Sequence, residues 1–155
     1  MRVTKYSVEL DPDRKNVLVK ENSKNYQAVD SLDMPQKVKK MLDDLYHAEM
    51  KAEEHLWLIA LDTKCRPIGI FEISHGTVNS SVVSPREICI RLCLCGAVNF
   101  MIAHNHPSGD PTPSRKDMEV TRRMNDAGKI MNIGLLDHII IGHNCYYSFA
   151  EHSCI

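Results

Sequence analysis

The sequence predicts an α/β protein in which helices pack on a mixed β-sheet. Short apolar runs that are typical of buried strands alternate along the chain with longer segments of helical periodicity. The chain also has 155 residues, 43% of them hydrophobic, which is enough for one core and too little for two. We therefore expect a single-domain α/β sandwich around a mixed sheet.

The first part of the chain is predicted to be rich in β-structure. Residues 3–10 and 16–20 carry β-branched residues in rough alternation around a turn-forming segment, which is typical of a hairpin. An amphipathic helix should follow over residues 35–50, because apolar residues recur there at helical spacing. We therefore divide the chain into a β-rich extension, residues 1–34, and a domain that it packs on, residues 35–155.

Five further strands are predicted from apolar and β-branched runs. LWLIALD and PIGIFEI are separated by the short turn TKCR, so they should pair as a central hairpin covered on both faces. VNFMIAHNH and LLDHIIIG are similarly apolar, and CYYSF is the last strand. The five runs occupy residues 56–62, 67–73, 98–106, 135–142 and 145–149.

Two more helices are indicated by the residues at their ends. Ser84, Pro85 and Glu87 match a serine cap, a proline at the first helical position and a glutamate three residues after the cap. Gly96 is the expected terminator of this helix. The second helix should run from Ser114 to about Met131.

Composition argues against several classes of protein. The formal net charge is -1, which disfavours a strongly basic DNA clamp. No apolar run is long enough to span a membrane, and the N-terminus lacks the hydrophobic segment of a secretion signal, so we expect a cytoplasmic protein without a membrane partner. Six cysteines occur without a CxxC pair, and three of them lie in one predicted helix. Reduced thiols that pack as small apolar side chains are therefore expected.

The most informative segment is His104-Asn105-His106, followed after the loop PSGDPTP by Ser114 and Asp117. Side chains at positions i and i+2 of a strand point to the same face, so both histidines can bind one ion. A helix that begins at Ser114 brings Asp117 in its first turn toward the same place. Two imidazoles and a carboxylate are three protein ligands, which leave the fourth position of a tetrahedral Zn²⁺ open for water.

A hydrolytic zinc site also needs a general base within hydrogen-bond reach of the water. Glu54, just before the strand LWLIALD, is our candidate, and Glu53 is the second choice. Each residue has a simpler explanation by itself. Ser114 and Asp117 fit an ordinary helix cap, a histidine at a strand end is often a half-buried polar tip, and the two glutamates fit a solvated pair. The complete set, however, is what one mechanism requires.

The spacing His104-x-His106-x7-Ser114-x2-Asp117, with a glutamate upstream, resembles the JAMM signature of the MPN or JAB domains. AHNHPSGDPTPSRKD, with SPREI before it and LLDHIIIG after it, is similar to the bacterial RadC-like (UPF0758) branch of that family. Members of this branch are traditionally labelled DNA repair proteins. The resemblance covers roughly residues 35 to 152.

This resemblance implies a cytidine-deaminase-like α/β/α sandwich around a mixed sheet. It also implies that His104, His106 and Asp117 bind zinc. Glu54 would then act as general acid and base on the water at the zinc, and Ser114 would stabilise the tetrahedral intermediate. The choice of Glu54 over its neighbour follows from the family pattern, in which the glutamate stands just ahead of a strand that ends in Leu-Asp.

Two classes of function compete. One is a zinc-dependent hydrolase of a peptide, isopeptide or related amide bond, whose partner would be an unknown protein or peptide substrate. The other is a DNA-processing accessory protein whose metal domain serves binding. Longer RadC-like chains resemble a fusion with a helix-hairpin-helix module that binds the DNA backbone, and we expect this chain to lack that module. The intact residue set favours the hydrolase, and the near-neutral charge disfavours strong DNA binding.

The sequence leaves open whether the exposed edge of the N-terminal β-segment forms a homodimer. A third class of function, a nucleobase deaminase, is disfavoured because its motifs are missing. The deaminase would need H-x-E and P-C-x-x-C, which do not occur.

Asp137 and His138 resemble the family's DHIIIG segment and either support the zinc ligands from behind or form a satisfied pair at a strand end. Asp110 is a further candidate ligand, although the prolines beside it favour a turn, and residues 75–77 are either a groove lining or a bend.

Overall fold

A seven-stranded mixed sheet runs through the protein, with strand order β2-β1-β4-β3-β5-β6-β7. The computed structural model describes residues 1–76 and 83–155. The strands are β1 (Arg2–Leu10), β2 (Asn16–Asn25), β3 (Glu54–Leu61), β4 (Pro67–Gly76), β5 (Asn99–Asn105), β6 (Gly134–Ile141) and β7 (Tyr146–Ser148). The described helices are α1 (Pro35–Tyr46), α2 (Pro85–Cys95) and α3 (Arg115–Met131), with a 3-10 turn at Ala48–Met50.

The position of β5 between β3 and β6 determines where the candidate site forms. β3 pairs antiparallel with both β4 and β5, whereas β5 and β6 are parallel. A parallel pair needs a crossover connection, and α3 provides it. The start of β3, the end of β5 and the start of α3 therefore meet at one end of the sheet.

Helices cover the two faces of the sheet separately. Alternate residues of β3 point to opposite faces, so Trp57 and Ile59 pack in a core with α1, and Leu58 and Ala60 in a core with α2 and α3. All four side chains are at most 1% exposed, which explains why the strand is a continuous apolar run. The predicted α/β sandwich around a mixed sheet is thus confirmed. No helix in the described part of the chain is long and apolar enough to cross a membrane.

The N-terminal hairpin belongs to the same sheet. β1 and β2 pair antiparallel, as predicted, and Lys5 of β1 also pairs in parallel with Ile70 of β4. β2 runs to Asn25, further than the sequence predicts, because its last residues are polar and gain their strand conformation from pairing with β1. Residues 1–34 therefore contribute two strands at one edge of the sheet.

α1 ends one turn earlier than predicted. His47 adopts a left-handed conformation with φ of 53°, and its N–H donates to the carbonyl oxygen of Asp43. A left-handed residue stops a helix, and histidine is not the residue type that usually announces one. The Asp43 carboxylate then accepts a hydrogen bond from the N–H of Glu49 over 2.9 Å and holds the 3-10 turn that follows.

α2 has the predicted ends but lacks the predicted cap. Pro85 is its first residue, and Gly96, with φ of 65°, follows its last. Ser84 forms no side-chain hydrogen bond to the helix N-terminus. The Glu87 carboxylate binds Arg86 and Arg91 on the helix surface and does not reach back to the cap. The capping-box prediction for this helix is therefore wrong.

The six cysteines are free thiols. Cys95 is partly buried, and burial raises the pKa of its thiol to about 11, which makes it unreactive. Cys93 is exposed. The prediction that the cysteines of this helix pack as small apolar side chains is therefore wrong for Cys93, because that position lies on the outer face of α2.

Candidate metal centre

His104 and His106 lie side by side at the end of β5. His104 is on the strand and 1% exposed, whereas His106 follows the last strand residue and is partly exposed. The Nε2 atoms of the two rings are 3.0 Å apart. Their i and i+2 spacing directs both imidazoles to the side of the sheet that α3 covers.

Backbone hydrogen bonds hold the chain around His106. Its N–H donates to the carbonyl of Ile141 in β6, and the N–H of Gly109 donates to its carbonyl, each over 2.9 Å. The Nδ1 atom of His106 lies 2.8 Å from the carbonyl oxygen of Asp110. A carbonyl oxygen only accepts, so Nδ1 carries the proton in the neutral ring and Nε2 keeps a lone pair that faces His104.

The carboxylate of Asp110 stabilises the loop and lies outside the cluster. Its Oδ1 accepts hydrogen bonds from Thr112, over 2.9 Å from N–H and 2.6 Å from Oγ1, and these bonds lower the pKa of Asp110. Among the described residues, the group that can hold a metal does not include it. The geometry corresponds to the turn role and not to a metal ligand.

Asp117 is positioned by the first turn of α3. Its Oδ2 accepts a hydrogen bond from the N–H of Ser114 over 2.7 Å, and the Ser114 Oγ accepts one from the N–H of Asp117 over 3.3 Å. This reciprocal capping box leaves Oδ1 directed at His104 Nε2, 3.3 Å away. Burial raises the pKa of Asp117, but the hydrogen bond and charge of a protonated His104 and the bonds from Ser114 outweigh it and hold the pKa well below its usual range.

Removing the Ser114 hydroxyl should destabilise the protein through the cap. We expect Ser114→Ala to lower the free energy of unfolding by about 1 kcal/mol, because the N–H of Asp117 loses its acceptor. Ser84→Ala is the matched control, since Ser84 occupies the same position on α2 without a side-chain cap bond. Urea unfolding of both variants checks this. An equal loss in the two variants would show that the Ser114 hydroxyl does not stabilise α3.

Glu54 joins the cluster from the first residue of β3. Its Oε1 lies 3.7 Å from His104 Nε2, and the side chain is 24% exposed. One ligand atom from each of four residues, Glu54, His104, His106 and Asp117, lies within 4.8 Å of the others. Glu53 is exposed and lies outside this group of four, and its carbonyl accepts a hydrogen bond from Asn105. The structure therefore brings Glu54, and not Glu53, to the two histidines.

Asn105 holds the backbone on both sides of Glu54, a role that the sequence did not indicate. Its Nδ2 donates to the Glu53 carbonyl over 3.0 Å, and its Oδ1 accepts from the N–H of His55 over 2.8 Å. The side chain is 1% exposed and points to the face opposite His104. An asparagine at the end of an apolar run was the only signal in the sequence.

An open cleft gives access to the cluster. It has a volume of about 410 Å³. Its lining comprises Glu54, His106, Pro107, Ser108, Ser114, Lys116 and Asp117. A second cleft of about 350 Å³ shares Glu54 and Pro107 with it and reaches Gly76 at the end of β4. Gly76 is thus near the site, as the groove interpretation of residues 75–77 requires, while Thr77 lies outside the described residues.

Asp137 and His138 have different surroundings. His138 contacts the cluster, with its Nε2 2.9 Å from His104 Nδ1, and it is 1% exposed. Burial lowers the pKa of His138 well below its ordinary value, so the ring is neutral. Asp137 points away and accepts hydrogen bonds from Ser148 Oγ and the Ala150 N–H. His138 is therefore placed to support the ligands from behind, whereas Asp137 is a strand-end residue whose hydrogen bonds are satisfied away from the cluster.

Comparison with known proteins agrees with this arrangement. A family model described as RadC-like JAB domain matches residues 32–154. A UPF0758 protein of Clostridium perfringens is 50% identical over 113 residues, which are 73% of this chain and 48% of the relative. One of Pelobacter propionicus is 44% identical over 110 residues, 70% of this chain and 48% of the relative.

A third relative, a UPF0758 protein of Desulfitobacterium hafniense, is 50% identical over 99 residues, which are 63% of this chain and 43% of the relative. This chain thus spans about half the length of the curated relatives that it matches. The names of these relatives state no activity. The match of the family model over most of the chain, together with the cluster of one glutamate, two histidines and one aspartate, shows that the chain belongs to the RadC-like JAB domain family.

Proposed function

We propose that this protein is a zinc-dependent metallohydrolase that cleaves a peptide, isopeptide or related amide bond with an activated water. One observation carries the proposal: four groups that offer lone pairs converge within 4.8 Å, and two of them are carboxylates. JAB domains include metalloproteases, which supports the same class of reaction. The substrate and the whole protein's activity are part of this proposal.

The residues present fit a metal ion. His106 directs a lone pair at His104, and Asp117 directs a carboxylate oxygen at it, so the centre collects acceptors that repel one another unless a cation or a proton lies between them. Two ligands of a tetrahedral Zn²⁺ at about 2.1 Å are separated by about 3.4 Å. The separations from His104 Nε2 are 3.0 Å to His106 Nε2 and 3.3 Å to Asp117 Oδ1, which are close to this value.

Each residue of the cluster has a distinct task in the proposed reaction. His104, His106 and Asp117 would hold the zinc. A bound zinc would supply a water of lowered pKa and polarise the carbonyl of the scissile bond. Glu54, which lies in the cleft and is farther from His104 than the other two ligands are, would take a proton from the attacking water and return it to the leaving amine.

Ser114 would stabilise the charge that develops on the carbonyl oxygen. Its Oγ accepts a hydrogen bond from the N–H of Asp117, which fixes the hydroxyl in the lining of the cleft, within reach of a bound substrate. A hydrogen-bond donor fixed by a helix cap needs no rearrangement during the reaction, which is what makes such a donor effective.

The test combines metal analysis with a substrate screen. The chain is purified from metal-limited culture, reconstituted with zinc, dialysed and analysed by elemental mass spectrometry, then assayed on fluorogenic peptides and on isopeptide-linked lysine substrates. We expect about one zinc per chain and hydrolysis that a chelator abolishes. Absence of stoichiometric metal would exclude the hydrolase mechanism. Bound zinc without hydrolysis, together with a gel shift of duplex DNA, would favour a DNA-processing role.

A further inference from the structure

His138 lies behind the cluster in a fully buried chain of hydrogen bonds. Its Nε2 is 2.9 Å from His104 Nδ1, and its Nδ1 is 2.6 Å from the hydroxyl of Thr121. Thr121 Oγ1 in turn lies 2.7 Å from the carbonyl oxygen of Asp117. None of His104, His138 and Thr121 is more than 2% exposed, so water does not replace any of these partners.

The last bond sets the direction of the whole chain. The carbonyl oxygen of Asp117 only accepts, so Thr121 must donate its single hydroxyl proton to it. Thr121 Oγ1 then accepts from His138 Nδ1, which therefore carries the ring proton. His138 Nε2 is left as an acceptor and receives the proton of His104 Nδ1. In a neutral His104 ring, Nε2 consequently keeps its lone pair, and this atom faces the cluster.

The opposite direction would prevent metal binding. If Thr121 donated to His138 Nδ1, two lone pairs would face each other over the 2.7 Å between Thr121 and the Asp117 carbonyl. His138 would then donate to His104 Nδ1, and the proton of neutral His104 would sit on Nε2, inside the cluster. The direction of these hydrogen bonds therefore decides whether neutral His104 can bind a metal through Nε2.

We propose that His138 is a positioning residue that fixes His104 in the tautomer able to bind the metal, and that Thr121 sets the tautomer of His138. His104 Nε2 also lies 3.3 Å from Asp117 Oδ1, so both ends of this chain of hydrogen bonds are at proposed metal ligands. The chain of bonds links β5, β6 and α3 and couples the orientation of one ligand to the helix turn that carries another. His138 is held in plane by Phe149, whose ring stacks on it at 4.8 Å with an angle of 7°.

This inference rests on the proposed function for its purpose, but its first test does not need the metal. Chain with ¹⁵N-labelled histidine is studied by two-bond ¹H–¹⁵N correlation spectra, which identify the protonated nitrogen of each ring. The metal-free protein is measured at about pH 8, where free imidazole is neutral. We expect the Nδ1–H tautomer for His138 and a proton on Nδ1 of His104. The Nε2–H tautomer of His138 would overturn the proposal.

Thr121→Val tests whether Thr121 sets the tautomer of His138, because valine has the same shape but no hydroxyl. The variant leaves the Nδ1–H of His138 without an acceptor, so we expect mixed tautomers of His138 and His104 and a zinc affinity lower by about tenfold to a hundredfold. Thr121→Ser restores a hydroxyl and should restore both the spectrum and the affinity. Circular dichroism confirms that all variants are folded, and competition with a zinc indicator gives the affinities.

The outcomes separate this inference from the proposed function. If the wild type binds no zinc, the hydrolase proposal fails, and the tautomers of the metal-free chain still decide the role of His138. If the wild type binds zinc and Thr121→Val keeps both the Nδ1–H tautomers and the affinity, His138 does not depend on Thr121 and the inference fails while the function stands.

Discussion

Replacing Glu54 by glutamine is expected to lower the turnover number by about a hundredfold to ten-thousandfold, with zinc still bound. Glutamine keeps the shape of the side chain but cannot take a proton from water, so only the proton transfer is lost. The zinc content should stay at the wild-type level, because the two histidines and Asp117 are the proposed ligands. The turnover number is measured on the peptide or isopeptide substrate found in the screen, and the zinc content is measured on the same preparation.

Glu53→Gln is the matched control for this change. It makes the same substitution one residue earlier, on an exposed side chain that lies outside the four-residue cluster. We expect its turnover number to be within about twofold of the wild type, because a carboxylate outside the cluster does not take the proton of the water. Loss of zinc in Glu54→Gln would make Glu54 a fourth ligand and contradict its role as base. Equal losses of activity in both variants would remove the reason for choosing between them.

Replacing His104 by alanine should abolish the stabilisation that zinc gives to the fold. A ligand that binds only the folded state contributes about 2.7 kcal/mol at a concentration of 100 times its Kd, which raises Tm by about 5 to 10 °C in a chain of this size. His104 is the ligand nearest to the others, with His106 and Asp117 at 3.0 and 3.3 Å. Without it, Tm should no longer respond to zinc or to a chelator.

The measurement is differential scanning calorimetry with zinc and with a chelator. His75→Ala serves as the control, because His75 is an exposed histidine on β4 outside the metal cluster. This control should keep the zinc response of the wild type. His104→Ala is itself expected to have a lower Tm in chelator, since a buried side chain bonded to His138 is lost. The prediction fails if zinc still raises its Tm by the wild-type amount.

Local sequence was sufficient to predict the parts of the site that depend on neighbouring residues. The i and i+2 spacing of His104 and His106 at the end of a strand predicts their common direction, and it does so although His106 lies just beyond the last strand residue. The Ser114 and Asp117 cap depends on one helical turn, and it forms as the local pattern indicates. The same reasoning failed for Ser84, because Glu87 lies beside Arg86 and Arg91 and bonds to them.

Residue type by itself does not distinguish the two glutamates; the family pattern favoured Glu54, and the tertiary structure shows why Glu54 reaches the histidines. Glu53 and Glu54 are equally acidic in the sequence, and the register in which β3 pairs with β5 directs one side chain into the cluster and the other outward. A shift by one residue would exchange them, because side chains of a strand alternate between faces. Asn105 fixes this register from the opposite face, through contacts about 50 residues away in the chain.

The sequence by itself therefore determined the fold class, the family resemblance and the types of ligand, since these depend on periodicity and on short spacings. The tertiary structure decided the surroundings that give those ligands their properties. His138 comes from β6 and Thr121 from α3, and only the parallel pairing of β5 and β6 with the crossover helix brings them behind His104. Hydrogen bonds between residues so far apart in the chain leave no local pattern, because each partner by itself is an ordinary buried polar residue.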